Sequence, residues 1–242
     1  MKGHLEVSSL ESKNVIKPLK LWQSVLLFTI PALFALVAQY ILWPYLVRIG
    51  LSQENAYNSA HLLVFVGLLL AALTALRLEG GPLKWAPVKE RLRLGAMTWK
   101  QWKWTLLFLF LYLLLSYLLS ILALIVYEYF RFWPPDADVP LRNIPFALIL
   151  LVFNIISEEL WWRGYILPRQ ELQHGEYAWL LNGILWSFFH LFKWWAVPLL
   201  LLKQWMIPLI AQRLRNTTPA LIIHFVSNGI AILITVIPLL TK

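Results

Sequence analysis

The chain has 242 residues, 60% of them hydrophobic and 14% charged, with fourteen Trp and a mean hydropathy of +0.67; this excludes a soluble globular domain and indicates a polytopic membrane protein. A formal charge of +9 does not point to nucleic acid, because the basic residues lie between apolar spans and read as topology signals. The absence of cysteine excludes a disulfide framework, a thiol nucleophile and a thiolate-bound metal.

Met1 to Lys20 is polar and is followed by no small-residue cleavage site, so it reads as a cytoplasmic tail without a removable signal. Seven apolar segments follow: Leu21–Pro44, Tyr57–Leu76, Trp102–Tyr127, Ile144–Leu167, Tyr177–Trp194, Ala196–Leu214 and Pro219–Leu240. At about 1.5 Å per residue against about 30 Å of hydrocarbon, each is long enough, or nearly so, to cross as a helix. The predicted fold is all-α, a transmembrane bundle of about seven spans, because only helices satisfy their own backbone in lipid this way.

Between the second and third spans, Gly80-Gly81-Pro82 precedes a stretch mixing Arg91, Arg93, Lys100 and Lys103 with Trp99, Trp102 and Trp104. Basic and Trp residues together suit the headgroup layer, so residues 85–103 read as an interfacial segment that leads into the third span within an N-terminal unit, 21–143. The loop Phe132–Asn143, with Pro134-Pro135-Asp136 and Pro140, breaks helix and leads into a C-terminal core, 144–240. The fifth and sixth spans are the shortest, with Lys193-Trp194-Trp195 predicted to turn between them. Fifteen of the 21 Lys and Arg then fall on one side and five on the other, with Lys203 inside a span. This bias puts the N-terminus in the cytoplasm.

Few groups within the spans can do chemistry: Asn154, Ser157, Glu158, Glu159 and Arg163 on the fourth, Asn182 and His190 on the fifth, His224 and Asn228 on the seventh. A charge at the bilayer centre costs at least about 2.5–3.5 kcal/mol, so such acids mark function. Residues four apart share a helix face, so Glu159 pairs with Arg163, which is predicted to snorkel to the cytoplasmic edge. Glu158 then faces elsewhere, beneath Asn154, as the carboxylate left free for work. Trp186 and His190 share a face, as do His224 and Asn228, and each face presents an imidazole suited to proton transfer. All three titratable groups are expected to line one cavity reached from the inner half of the membrane. His4, His61 and His174 are given no role.

Glu158-Glu159-x-x-x-Arg163, Trp186-x-x-x-His190 and His224-x-x-x-Asn228, in that order on separate spans, resemble the three-motif signature of the CPBP intramembrane proteases, the CAAX protease and bacteriocin-processing (Abi) family. The resemblance covers about Ile144 to Leu240, with Trp186 standing where that family usually has Phe. It implies an intramembrane endopeptidase that hydrolyses a peptide bond near the C-terminus of a membrane-associated or lipidated protein or peptide. Glu158 would activate water, His190 would help hold it, and His224 and Asn228 would stabilise the oxyanion. Glu159 and Arg163 would support them, and Trp186 and Phe189 would form the aromatic wall of the substrate site. A buried carboxylate gains basicity and preorganised donors lower the barrier, so this needs no metal. Glu158, His190 and His224 could instead hold Zn²⁺ with an open water position. No cofactor is favoured, since Asn228 suits an oxyanion better than zinc.

The implied partners are membrane lipids and a membrane protein or peptide, lipidated or carrying a C-terminal sorting tail, in a bacterial inner membrane. Trp161, Trp162, Trp194 and Trp195 could accommodate an apolar chain or simply pack and anchor. Two rival functions remain open at this point: a non-catalytic scaffold or immunity protein of the same fold, and a proton-coupled transporter using the same groups as a relay.

Overall fold

The computed structural model of the protein describes residues 16–80, 82–132 and 143–240, with side chains through residue 234. Most of the expected N-terminal tail, with His4, and the Pro-rich loop at 133–142 lie outside the described residues.

The described residues form an all-α bundle without strands: α1 (Leu21–Val37), α2 (Trp43–Arg48), α3 (Gln53–Leu78), α4 (Trp85–Arg91), α5 (Trp99–Tyr129), α6 (Ile144–Glu159), α7 (Leu167–His174), α8 (Ala178–Phe189), α9 (Val197–Lys203), α10 (Met206–Leu214) and α11 (Thr218–Leu240). Among the described residues four helical runs are long and apolar enough to cross a membrane: Leu21–Arg48, Gln53–Leu78, Trp99–Tyr129 and Ile144–Lys203. The protein is thus an integral membrane protein. The chain breaks at the turn expected between the fifth and sixth spans, and the sixth is itself divided into α9 and α10. A 3-10 stretch, His190–Ala196, separates α8 from α9, with Lys193 at φ −122° and ψ 58° breaking the helix, and α9 is only seven residues long.

Capping sets where the long helices begin. Ser52 accepts the Asn55 N–H at the start of α3, Thr98 and Gln101 form a capping box at α5, and Asn143 accepts the Phe146 N–H at α6. Helices α3 and α6 pack side by side and in the same direction. Glu54, near the start of α3, accepts the Asn143 backbone N–H at 2.7 and 2.9 Å, while beyond the far end of α3, Glu79 meets Tyr165 and Arg169. Ala56, Ala60 and Ala72 on α3 are fully buried, and such small residues let lipid-embedded helices approach closely. Helix α5 buries only Thr105, Tyr112 and Leu119, a single stripe at seven-residue spacing. Phe108, Leu109 and Leu115 pack partly against the core beside this stripe, and much of the remaining apolar surface is exposed.

The two ends of the bundle are chemically different. At the end where α1, α5 and α11 begin, Leu19 N–H donates to the Arg169 carbonyl, Gln101 to the Leu214 carbonyl and Thr217 Oγ1 to the Leu92 carbonyl. Short α4 folds back onto this end, burying Val88 and Leu92 beside Leu76. A Cβ on Gly164 would meet Leu92 Cδ2 at 3.0 Å, so glycine is what lets α4 close in. Arg169, Arg91 and Tyr165 all donate to Glu79 here. Burial raises the Glu79 carboxyl, but the two guanidiniums and the Tyr165 hydroxyl outweigh it and hold it below the usual glutamate value.

Candidate active site

The site is built around an interruption of helix. After Glu158-Glu159 the α-helix widens into a π-helical turn, Leu160–Ile166, before α7 resumes; such insertions recur at functional sites. Asn182 Nδ2 on α8 donates to the Trp162 carbonyl within this turn at 3.1 Å and to Gln170 Oε1 at 2.9 Å. Trp162, fully buried, stacks on Phe28 at 4.1 Å between centroids, and Trp161 stacks on Tyr165 at 5.2 Å. The wide turn is thereby fixed by packing on α1 and by an amide from α8.

Glu158 is 1% exposed, and both its oxygens are engaged. Asn154 Nδ2 donates to Oε1 at 2.7 Å and Trp186 Nε1 donates to Oε2 at 2.6 Å. A buried carboxylate without such donors would cost several kcal/mol, roughly, so the two bonds hold the acid in place as well as orient it. The Arg163 guanidinium carbon lies 3.6 Å from the centre of the Trp186 ring. One indole thus meets a cation with its face and an anion with its N–H.

Glu159, also fully buried, accepts from His224 Nδ1 at 2.8 Å and pairs with Arg163 Nη1 at 3.3 Å. The tautomer that protonates Nδ1 leaves Nε2 to accept from Asn228 Nδ2 at 3.1 Å. Asn228 Nδ2 also reaches Asn154 Oδ1 at 3.2 Å. A continuous polar chain therefore runs Arg163, Glu159, His224, Asn228, Asn154, Glu158, Trp186 across α6, the π-turn, α8 and α11. His190 joins it through Trp186: its Nδ1 lies 2.8 Å from the Trp186 carbonyl and its ring stands edge-on to the indole.

A cavity of about 370 Å³ opens beside this chain, lined by Glu158, Asn154 and Leu151 of α6, His190, Phe192 and Lys193, Asn228 and Ile232 of α11, and Tyr57, Asn58, His61 and Phe65 of α3. Three of the four residues expected to do the chemistry, Glu158, His190 and Asn228, share its wall. His224 stands behind them, buried at 5% exposure.

Several expectations change. Arg163 does not snorkel; it is 1% exposed, because Glu159 and the Trp186 face supply a partner and a π surface inside the bundle. Trp186 and Phe189 do not form the cavity wall. Both are 1% exposed, Trp186 turned to Glu158 and Arg163 and Phe189 packed on Trp162 at 5.3 Å, and the aromatic wall comes from Tyr57, Phe65 and Phe192. Among the described residues no three His, Asp or Glu side chains gather as metal ligands. Of the residues named for a zinc alternative, His224 directs its ring nitrogens to Glu159 and Asn228. The cavity also leaves Glu158 away from the end expected to give access.

Sequence reasoning gave His61 no role and left α3 out of the site. The available signal was a polar run within an apolar span, Tyr57, Asn58 and His61, whose positions 57 and 61 share a helix face. His61 Nδ1 lies 3.0 Å from the Tyr57 carbonyl, and its ring packs on Tyr57 at 4.1 Å. The bond from Asn154 to Glu158 was readable from their spacing of four, whereas the indole bond from Trp186 was not.

Residues 140–230 match the family model described as type II CAAX prenyl endopeptidase Rce1-like, a stretch that holds all three motifs. No curated protein and no solved structure matches the chain.

Proposed function

From the Rce1-like character of residues 140–230, which carries intramembrane endopeptidase activity as the family's function, we propose that this chain hydrolyses a peptide bond with water activated by Glu158. The observation that carries the reading is a carboxylate fixed by two N–H donors at the inner end of a cavity whose wall also presents His190 and Asn228. Water bound there would lose a proton to Glu158 as it attacks the scissile carbonyl, and Glu158 would return that proton to the departing amine. His190, with Nδ1–H directed at the Trp186 carbonyl, keeps Nε2 as an acceptor for the water's second proton. The developing oxyanion takes one of the two amide hydrogens that Asn228 otherwise gives to Asn154 and His224. His224, locked by Glu159, positions Asn228 and becomes a second donor only as the imidazolium.

The reading uses no metal, and the donor geometry supports that choice: the ring nitrogens of His224 already have partners and Asn228 is an amide. The substrate is a membrane-associated protein or peptide; lipidation or a sorting tail on it is part of the proposal. The test is cleavage by purified protein in bilayers, with and without a chelator and with metal content measured in the same sample. Full activity without bound metal supports the glutamate mechanism, and activity that vanishes with chelation and returns with zinc overturns it. Glu158→Gln keeps the volume and removes the base, so its cleavage rate should fall by about 10²–10⁴-fold.

A further inference from the structure

The cavity is one-sided. Along α6 its wall climbs from Glu158 through Asn154, Leu151 and Leu150 to Ala147, always towards the start of the helix. Along α3 it runs from Phe65 through His61 to Tyr57, again towards the start, and along the antiparallel α11 it runs from Asn228 to Ile232, towards the end. These directions agree because α3 and α6 start at one end of the bundle and α11 starts at the other. No residue of the cavity wall lies on the other side of Glu158 along α6.

That other side is filled. Below Glu158 come the Glu159–Arg163 pair, the buried Trp162 and then the Glu79 cluster with Arg169, Arg91 and Tyr165. Helix α4 lies across this end, tied by Arg91 to the Leu76 carbonyl and continued by Arg93 to Glu171 and by the Leu92 carbonyl to Thr217. The filled end is also the basic one, carrying Lys84, Lys89, Arg91, Arg93, Arg169 and Arg215. Among the described residues the end towards which the cavity runs has only Arg48, Arg131 and Lys193. Basic loops stay in the cytoplasm, so the closed end is cytoplasmic.

We infer that the site receives its peptide from the outer half of the membrane and that its substrate class is the exported, membrane-associated polypeptide, as opposed to a tail presented from the cytosol. This deepens the hydrolase reading and rests on it for the word substrate; the direction of access stands on geometry and charge alone. Towards its outer end the wall sets the polar Tyr57, Asn58, His61 and Lys193 beside the apolar Ala147, Leu150 and Leu151. Such a wall suits an extended segment lying partly in hydrocarbon, with a polar end reaching water.

The chain contains no cysteine, so single cysteines can report accessibility without background. Leu150→Cys and Ile232→Cys, neither one a catalytic position, are placed in the cavity, and Lys89→Cys on the closed end. Intact cells expressing the full chain are treated with a membrane-impermeant maleimide before and after permeabilisation. The expected result is equal labelling of both cavity cysteines before and after, with Lys89→Cys labelled only after. Cavity cysteines that react only after permeabilisation, that never react, or that react while Lys89→Cys is also labelled in intact cells overturn the inference. The same labelling in a Glu158→Gln background separates the two claims: it persists if access is right and the catalytic assignment wrong.

Discussion

At the scale of the residue, the most consequential side chain is Trp186, whose indole touches both charges of the site. Phenylalanine would keep the ring over Arg163 and lose the N–H that fixes Glu158. Trp186→Phe is therefore expected to fold and to cut more slowly by about tenfold or more, since a charge-assisted bond of about 1.5–3 kcal/mol is lost from the base. An unchanged kcat would show that Asn154 alone holds the carboxylate. Glu159→Gln should behave differently. It leaves the buried Arg163 guanidinium without its counter-charge and weakens the hold on His224, so both thermal stability and activity fall, the former by about 3–5 kcal/mol. Loss of activity at unchanged Tm would contradict this structural role. The motif residues were legible because spacings of four put Glu159 with Arg163 and His224 with Asn228 on common faces, and the structure has both contacts. Spacing says nothing about which way a long side chain turns, and so Arg163 was misplaced at the edge.

At the scale of the element, the π-turn after Glu159 and the break at Lys193 between α8 and α9 shape the site; Lys193-Trp194-Trp195 signalled the break, whereas the hydropathy pattern gave no sign of the π-turn. Leu160–Ile166 is apolar and aromatic apart from Arg163 and Gly164, so its composition reads as ordinary span. What makes it widen is tertiary: Trp162 against Phe28, Leu92 against Gly164 and Asn182 on the Trp162 carbonyl. The same dependence on close packing is testable on α8. A Cβ at Gly183 would meet Trp205 Cα at 2.6 Å and Trp205 N at 3.0 Å, so Gly183→Ala must push the turn before α10 away. The expected cost is about 1–3 kcal/mol, read as a lowered Tm with a smaller effect on cleavage. Gly229→Ala is the control, because nothing lies within 4 Å of its added carbon. Equal stability of the two variants would contradict the close approach.

At the scale of the molecule, composition and apolar segment length were enough to predict an all-α membrane bundle, and charge bias to predict which end is basic. The path to the site was not legible, because it depends on α3 running parallel to α6 and on α4 covering the opposite end. The Glu79 cluster closing that end gives the fold a pH dependence of known sign. Its carboxyl is held below the ordinary glutamate value of about 4.3, so its contribution is present above that pH and is lost as the pH falls through the lowered value. The Tm difference between wild type and Glu79→Gln should stay constant from neutral pH to about 5 and shrink on further acidification. A difference that grows on acidification would contradict the ion cluster.

The proposed hydrolase stands or falls with Glu158 as its base. The most direct measurement compares the C-terminal peptides of membranes containing wild type with those containing Glu158→Gln at equal expression and equal Tm. The expected result is truncated C-termini that appear only with wild type, each new carboxylate carrying one oxygen from labelled water. The same truncated termini at wild-type abundance with Glu158→Gln would contradict it.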